Sequence, residues 1–153
     1  MLTSAQHEQK LFWNIFEKKL VDIDNPFTIS YEMNGEIKYY ASVNKQKPWV
    51  RLGLTIDFLC RYKMVKINIY IENDVELFNR LLANKEKIES ELGFTPKWIY
   101  SGERNPNTRR VISTFPVIIG NPLDYERVIE KVIPIIIQYK MVFEKYIPNL
   151  CDY

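Results

Sequence analysis

The sequence predicts an α+β fold, a largely antiparallel sheet of about six strands with three helices in the order α-β-β-β-β-α-β-β-α. Three observations lead there. Apolar residues recur at helical spacing near both ends of the chain and once in between. Four consecutive segments alternate apolar and polar residues with only short links, as an antiparallel meander does. An Asn-Gly dipeptide joins the first two of those segments.

Thr3 followed by Gln6 makes a capping box, and Leu11, Phe12, Ile15 and Phe16 then form one apolar stripe to about Leu20, with Trp13 just off it. Asp22-Ile23-Asp24-Asn25-Pro26 ends this helix, because proline restricts the residue before it. Strands over 27–33 and 36–43 flank Asn34-Gly35, which supplies the positive φ angles of a two-residue hairpin turn. A polar loop spans 44–48. Residues 49–59 and 65–71 alternate cleanly on either side of a turn at Arg61-Tyr62-Lys63.

Asn73 or Asp74 caps the next helix, in which Val75, Phe78, Leu81, Leu82, Ile88 and Leu92 recur before Gly93 closes it. Strands over 94–100 and 109–115 follow, joined by a turn-rich connection at 101–108. Asn121-Pro122 opens the last helix with a cap and a proline at its first position. Pro134 interrupts that helix, and Ile133, Ile135, Ile136 and Ile137 make it apolar nearly all round. Such a segment is either the central core helix or the contact of a homodimer formed through the C-terminal helix.

The 153 residues, 46% hydrophobic, 14% aromatic and 26% charged, suit one domain over 1–153 and exclude a disordered or collagen-like chain. No apolar run reaches the roughly 20 residues needed to span a bilayer, so no membrane partner is expected. The N-terminal residues lack the pattern of a secretory signal, which makes the expected location cytoplasmic. Cys60 and Cys151 give neither a disulfide framework nor metal spacing and read as free thiols. Neither a metal nor any other cofactor is expected.

The net charge of +2 is unevenly spread. Between Glu36 and Tyr70, seven bases stand against two acids, whereas 71–95 holds six acids against three bases. Lys97, Arg104, Arg109 and Arg110 follow, opposed only by Glu103. Basic residues among aromatics such as Tyr40, Trp49, Tyr62, Tyr70 and Trp98 suit phosphate contact and base stacking. The candidates for nucleic-acid contact are Arg51, Arg61, Lys63, Lys66, Lys97, Arg104 and Arg109.

One catalytic pattern competes. Asp24 followed by Glu36-Ile37-Lys38 has the order of a metal-dependent, restriction-endonuclease-like nuclease, in which two carboxylates hold a divalent ion and a lysine activates water. Its surroundings argue against it. Glu36 follows a tight turn, and two further strands precede the next helix. The carboxylate pairs Asp22/Asp24 and Glu89/Glu91 sit at i, i+2 and read as solvated charges. There is no phosphate-binding glycine loop, no nucleophile elbow and no His/Cys cluster. A non-catalytic binding or accessory module therefore leads, with the nuclease and a structural or oligomerisation domain as alternatives.

Val65-Lys66-Ile67-Asn68-Ile69-Tyr70-Ile71, the Asn73-Asp74 cap, Phe78, Leu81, Lys85-Glu86, Ile88-Glu89, Glu91-Leu92-Gly93-Phe94 and Trp98 form a connected pattern. With Phe12-Trp13, Arg110-Val111 and Phe143, it resembles the bacterial and archaeal domain-of-unknown-function family 4268. Members of that family often follow a nuclease-like domain in longer chains. The resemblance thus implies an association with nucleic-acid processing or defence, with a nucleic acid or a protein as partner. It also implies that Arg110 is the inward, structural residue of the last strand and Arg109 the contact.

Overall fold

Thr3 and Gln6 close the first helix, α1 (Ser4–Val21), with reciprocal bonds. The Gln6 backbone N–H donates to Thr3 Oγ1 at 3.1 Å, and the Thr3 N–H donates to Gln6 Oε1 at 2.8 Å. The computed structural model describes residues 2–23, 30–35, 37–42, 52–100, 108–147 and 150. Within them α1 is followed by β1 (Ser30–Asn34), β2 (Ile37–Ser42), β3 (Leu52–Leu59), a 3₁₀ turn (Cys60–Tyr62) and β4 (Met64–Glu72). Then come α2 (Val75–Ala83), α3 (Lys85–Leu92), β5 (Lys97–Ile99), β6 (Thr108–Pro116) and α4 (Pro122–Phe143). The expected breaker at 24–26, the loop at 44–48 and the connection at 101–107 lie outside the described residues.

The strands lie in the spatial order β1-β2-β3-β4-β6-β5, and every pairing is antiparallel. Gly35 takes a left-handed φ of +64°, and Asn34 closes the first hairpin opposite Ile37. That hairpin joins the rest of the sheet through a short ladder, with Tyr40–Ser42 opposite Thr55–Asp57. The α+β class and the antiparallel sheet hold.

The helix count differs from the expected three, for four α-helices are present among the described residues. The apolar periodicity of 75–92 is real, but Asn84 divides it into α2 and α3. Its amide Nδ2–H donates to the Arg80 carbonyl at 2.8 Å and its backbone N–H to the Leu81 carbonyl at 3.0 Å. Asparagine competes with the helical ladder in this way, and α2 ends at Asn84.

All four helices cover one face of the sheet. Phe12 of α1 stacks on Phe58 of β3 at 4.2 Å between ring centroids, and Tyr125 of α4 packs edge-on against both. Trp13, expected just off the apolar stripe, is fully buried instead and meets Phe12, Phe16 and Tyr31. On the other side of the layer Phe78 of α2 and Phe143 of α4 pack against Trp98 of β5. Trp98 Nε1–H donates to Glu89 of α3 at 3.0 Å. Glu89 and Glu91 are therefore not merely solvated charges, since Glu91 also receives Lys145 and the Tyr146 hydroxyl, both at 3.3 Å.

Asn121 caps α4 and Pro122 occupies its first turn, as expected. The helix runs unbroken through Pro134, which is exposed, while Val132, Ile133 and Ile136 are buried in the core. Ile135 and Ile137 are half-buried against the same core. The buried part of this apolar girth packs against the core of the same chain.

Candidate nucleic-acid interface

Residues directly opposed across an antiparallel pair share a face of the sheet, and faces alternate along each strand. Leu54, Ile56 and Phe58 of β3, Val65, Ile67, Ile69 and Ile71 of β4, and Val111 and Phe115 of β6 point to the helices and are buried. The intervening residues belong to the second face, which mixes polar residues with apolar ones, including a row of Leu59, Met64 and Pro116 at one end. One cross-strand row runs Tyr40, Asp57, Lys66, Thr114; the next runs Ser42, Thr55, Asn68, Ile112, Lys97; a third runs Gly53, Tyr70, Arg110, Ile99. Glu72 and Thr108 oppose each other in the row beyond.

Gly53 leaves room for the Tyr70 side chain to lie over it. A Cβ there would lie 2.5 Å from the hydroxyl oxygen of Tyr70, whose ring covers the glycine.

The register brings Lys66, Lys97 and Arg110 to the second face. Lys97 is exposed, and Lys66 and Arg110 are half-buried. Arg61 and Lys63 lie at the β3–β4 turn, both exposed, with the Arg61 guanidinium 5.7 Å from the centroid of the Tyr62 ring. The Lys63 carbonyl accepts the Val117 N–H at 3.1 Å, tying this turn to the end of β6. Arg51 and Arg104 lie outside the described residues.

The expected roles of Arg109 and Arg110 are reversed in placement. Val111 opposes Ile69 and is fully buried, so Arg109, two residues away and opposite Ile71, shares the helix-covered face. Arg110 opposes Tyr70 on the second face. The physical reason is the phase of the strand: once Val111 enters the core, its neighbour must point away from it.

Charge on the second face is internally coupled. Burial pushes the Asp57 carboxyl above the usual range, and Lys66 and Arg110 partly offset that shift. Burial lowers the Lys66 ammonium, Asp57 raises it and Arg110 lowers it again by like-charge repulsion. A carboxyl raised on folding contributes stability below its unfolded pKa of about 3.9 and loses it as pH rises through the folded value. Asp57→Asn should therefore raise the melting temperature at pH 7 and change it little near pH 3.5, as read by thermal unfolding across that range.

Of the catalytic candidates, Asp24 and Glu36 lie outside the described residues. Lys38 is engaged elsewhere: its ammonium pairs with Glu17 of α1 and sits 4.8 Å from the centroid of the Tyr31 ring. Among the described residues no group of three His, Cys, Asp or Glu side chains is placed to hold a metal ion. Cys60 is a free thiol, pushed up to about 11 chiefly by burial, whereas Cys151 lies outside the described residues. Among the described residues no helix is long and apolar enough to cross a membrane.

The family model of a Domain of unknown function, DUF4268, matches residues 8–147, from the first helix to just beyond α4. The chain belongs to that family. In this DUF4268 chain the pattern at 65–98 spans β4 to β5, and the Arg110-Val111 pair lies in β6 with its two side chains on opposite faces of the sheet. No curated protein matches the chain. Among solved structures, the crystal structure of YbjN from E. coli is similar, with 14% identity and a TM-score of 0.48 over 87% of this chain and 89% of that one.

Sequence reasoning alone did not single out Asp57, Asn68 or Thr108 as members of one surface. Counting by twos from Val65 already separates Lys66, Asn68 and Tyr70 from the core residues. Placing Asp57 and Thr108 beside them takes the register of β3 and β6, which alternation does not supply.

Proposed function

We propose that this chain is a non-catalytic binding module whose second sheet face takes the phosphate backbone of nucleic acid. The observation that supports this reading most is the gathering of Lys66, Arg110 and Lys97 on the face opposite the helices. In the sequence these cations are scattered between positions 66 and 110; across the sheet they occupy three neighbouring strands. Arg61 and Lys63 add two exposed cations at the β3–β4 turn. The acidic segment after Asp74 lies in α2 and α3, which pack on the other side. Phosphates approaching the second face thus avoid the acids of α2 and α3, although the face carries acids of its own, among them Asp57 and Glu72.

Cations held on a sheet face offer point charges to a polyanion, and binding releases the counterions condensed on it. The expected result is a complex with labelled single- or double-stranded DNA or RNA at about 50 mM salt that weakens steeply as salt rises. Fluorescence anisotropy reads it. Absence of binding to all four probes at low salt would remove this function and leave a protein–protein accessory role.

A further inference from the structure

Asn68 and Thr108 are 6% and 4% exposed, and Asn68 Oδ1 and Thr108 Oγ1 are buried with no hydrogen-bond partner. These are the two such side-chain atoms among the described residues. Folded proteins rarely leave buried polar atoms unpaired, because each forfeits its bond to water and gets nothing in return. Here both belong to the same surface. Asn68 opposes Thr55 and Ile112, Thr108 opposes Glu72, and the Tyr70–Arg110 pair stands between them, all on the second face.

Each unpaired atom also has a cation at the neighbouring position on that face. Lys66 precedes Asn68 on β4, and Arg110 follows Thr108 on β6, about 7 Å along the strand in each case. We infer that this face reads the unpaired bases of a single strand, with Asn68 and Thr108 bonding base edges while Lys66 and Arg110 hold the adjoining phosphates. The inference rests on the nucleic-acid reading above and narrows its ligand.

The chemistry of the two atoms selects the ligand. An amide oxygen accepts a base N–H, and a threonine hydroxyl both donates and accepts. An acceptor beside a cation, repeated on the adjacent strand, suits a ligand that alternates hydrogen-bonding edges with anions. Duplexes present their base edges only inside grooves, and a broad sheet would meet just their phosphates. Bases of a single strand can splay onto a sheet and offer their pairing edges. Lys66 and Arg110 are half-buried, each two residues along its strand from one of the two atoms, and base reading requires the buried atoms to be uncovered when the single strand binds.

The test uses the full chain with Asn68→Leu and Thr108→Val, which keep the shape and remove the unpaired atoms. Anisotropy is measured against a mixed-sequence single strand and its duplex, with thermal unfolding run in parallel. The expected result is tighter binding to the single strand, weakened about tenfold by each variant, with duplex binding unchanged and melting temperatures equal to or above wild type. If both probes bind but neither variant separates them, base reading is overturned while phosphate binding stands. If the variants weaken both probes equally, the same conclusion follows. Loss of all binding in the wild type overturns both readings.

Discussion

Replacing Trp13 by alanine is expected to lower the stability of the fold by about 3–5 kcal/mol, the range for truncating a large buried ring. Trp13 is fully buried and joins α1 to the sheet in two ways. Its ring packs against Phe12, Phe16 and Tyr31 at 4.9, 5.1 and 5.7 Å between centroids. Its Nε1–H donates to Gln9 Oε1 at 3.1 Å, and Gln9 Nε2–H donates in turn to the Phe58 carbonyl at 2.7 Å. Truncation therefore opens a cavity and leaves the buried Gln9 acceptor unpaired. Exposed Leu123, replaced in the same way, should cost less than about 0.5 kcal/mol. Urea unfolding of the two variants makes the comparison. A loss below about 1 kcal/mol for Trp13→Ala would mean that α1 does not dock on the sheet as described.

Reversing charge on the second face is expected to have the largest effect on binding. Lys97→Glu combined with Arg110→Glu removes two cations from neighbouring strands and places two anions there. The pair should weaken binding to any nucleic acid by about a hundredfold or more at low salt, because attraction is replaced by repulsion at the same sites. Lys97 is exposed, so its change should leave the fold intact. Circular dichroism of the double variant provides the folding control for Arg110, and retention of wild-type affinity would contradict the proposed surface.

Local signals in the sequence were reliable where one residue type sufficed. Thr3 and Gln6 cap α1, Asn34-Gly35 turns the first hairpin, and Asn121-Pro122 starts α4 because each sets its own backbone bonds. Asn84 carried an equally local signal, but the apolar period on both sides of it suggested one continuous helix. Trp13 shows a different gap. A ring just off an apolar stripe reads as peripheral until the first hairpin and β3 close over it.

The site was legible only in part for a related reason. Alternation shows which residues of one strand share a face, as with Lys66, Asn68 and Tyr70, but not which face another strand adds to. Arg109 and Arg110 illustrate this. The buried Val111 fixes their phase, whereas the family resemblance implies Arg110 as the inward residue. Lys38 could not be assigned from sequence either, since its partner Glu17 comes from a helix 21 residues away.

Arg109 and Arg110 are adjacent in the chain and lie on opposite faces of β6, which makes them the most direct test of the second face as a phosphate-binding surface. The measurement is the slope of log affinity against log salt for a single strand, compared among wild type, Arg109→Ala and Arg110→Ala. Removing one phosphate-binding cation lowers the slope by about 0.7. Arg110→Ala should weaken binding and flatten the slope by that amount, while Arg109→Ala leaves both at their wild-type values. Flattening with Arg109→Ala and none with Arg110→Ala would contradict the account.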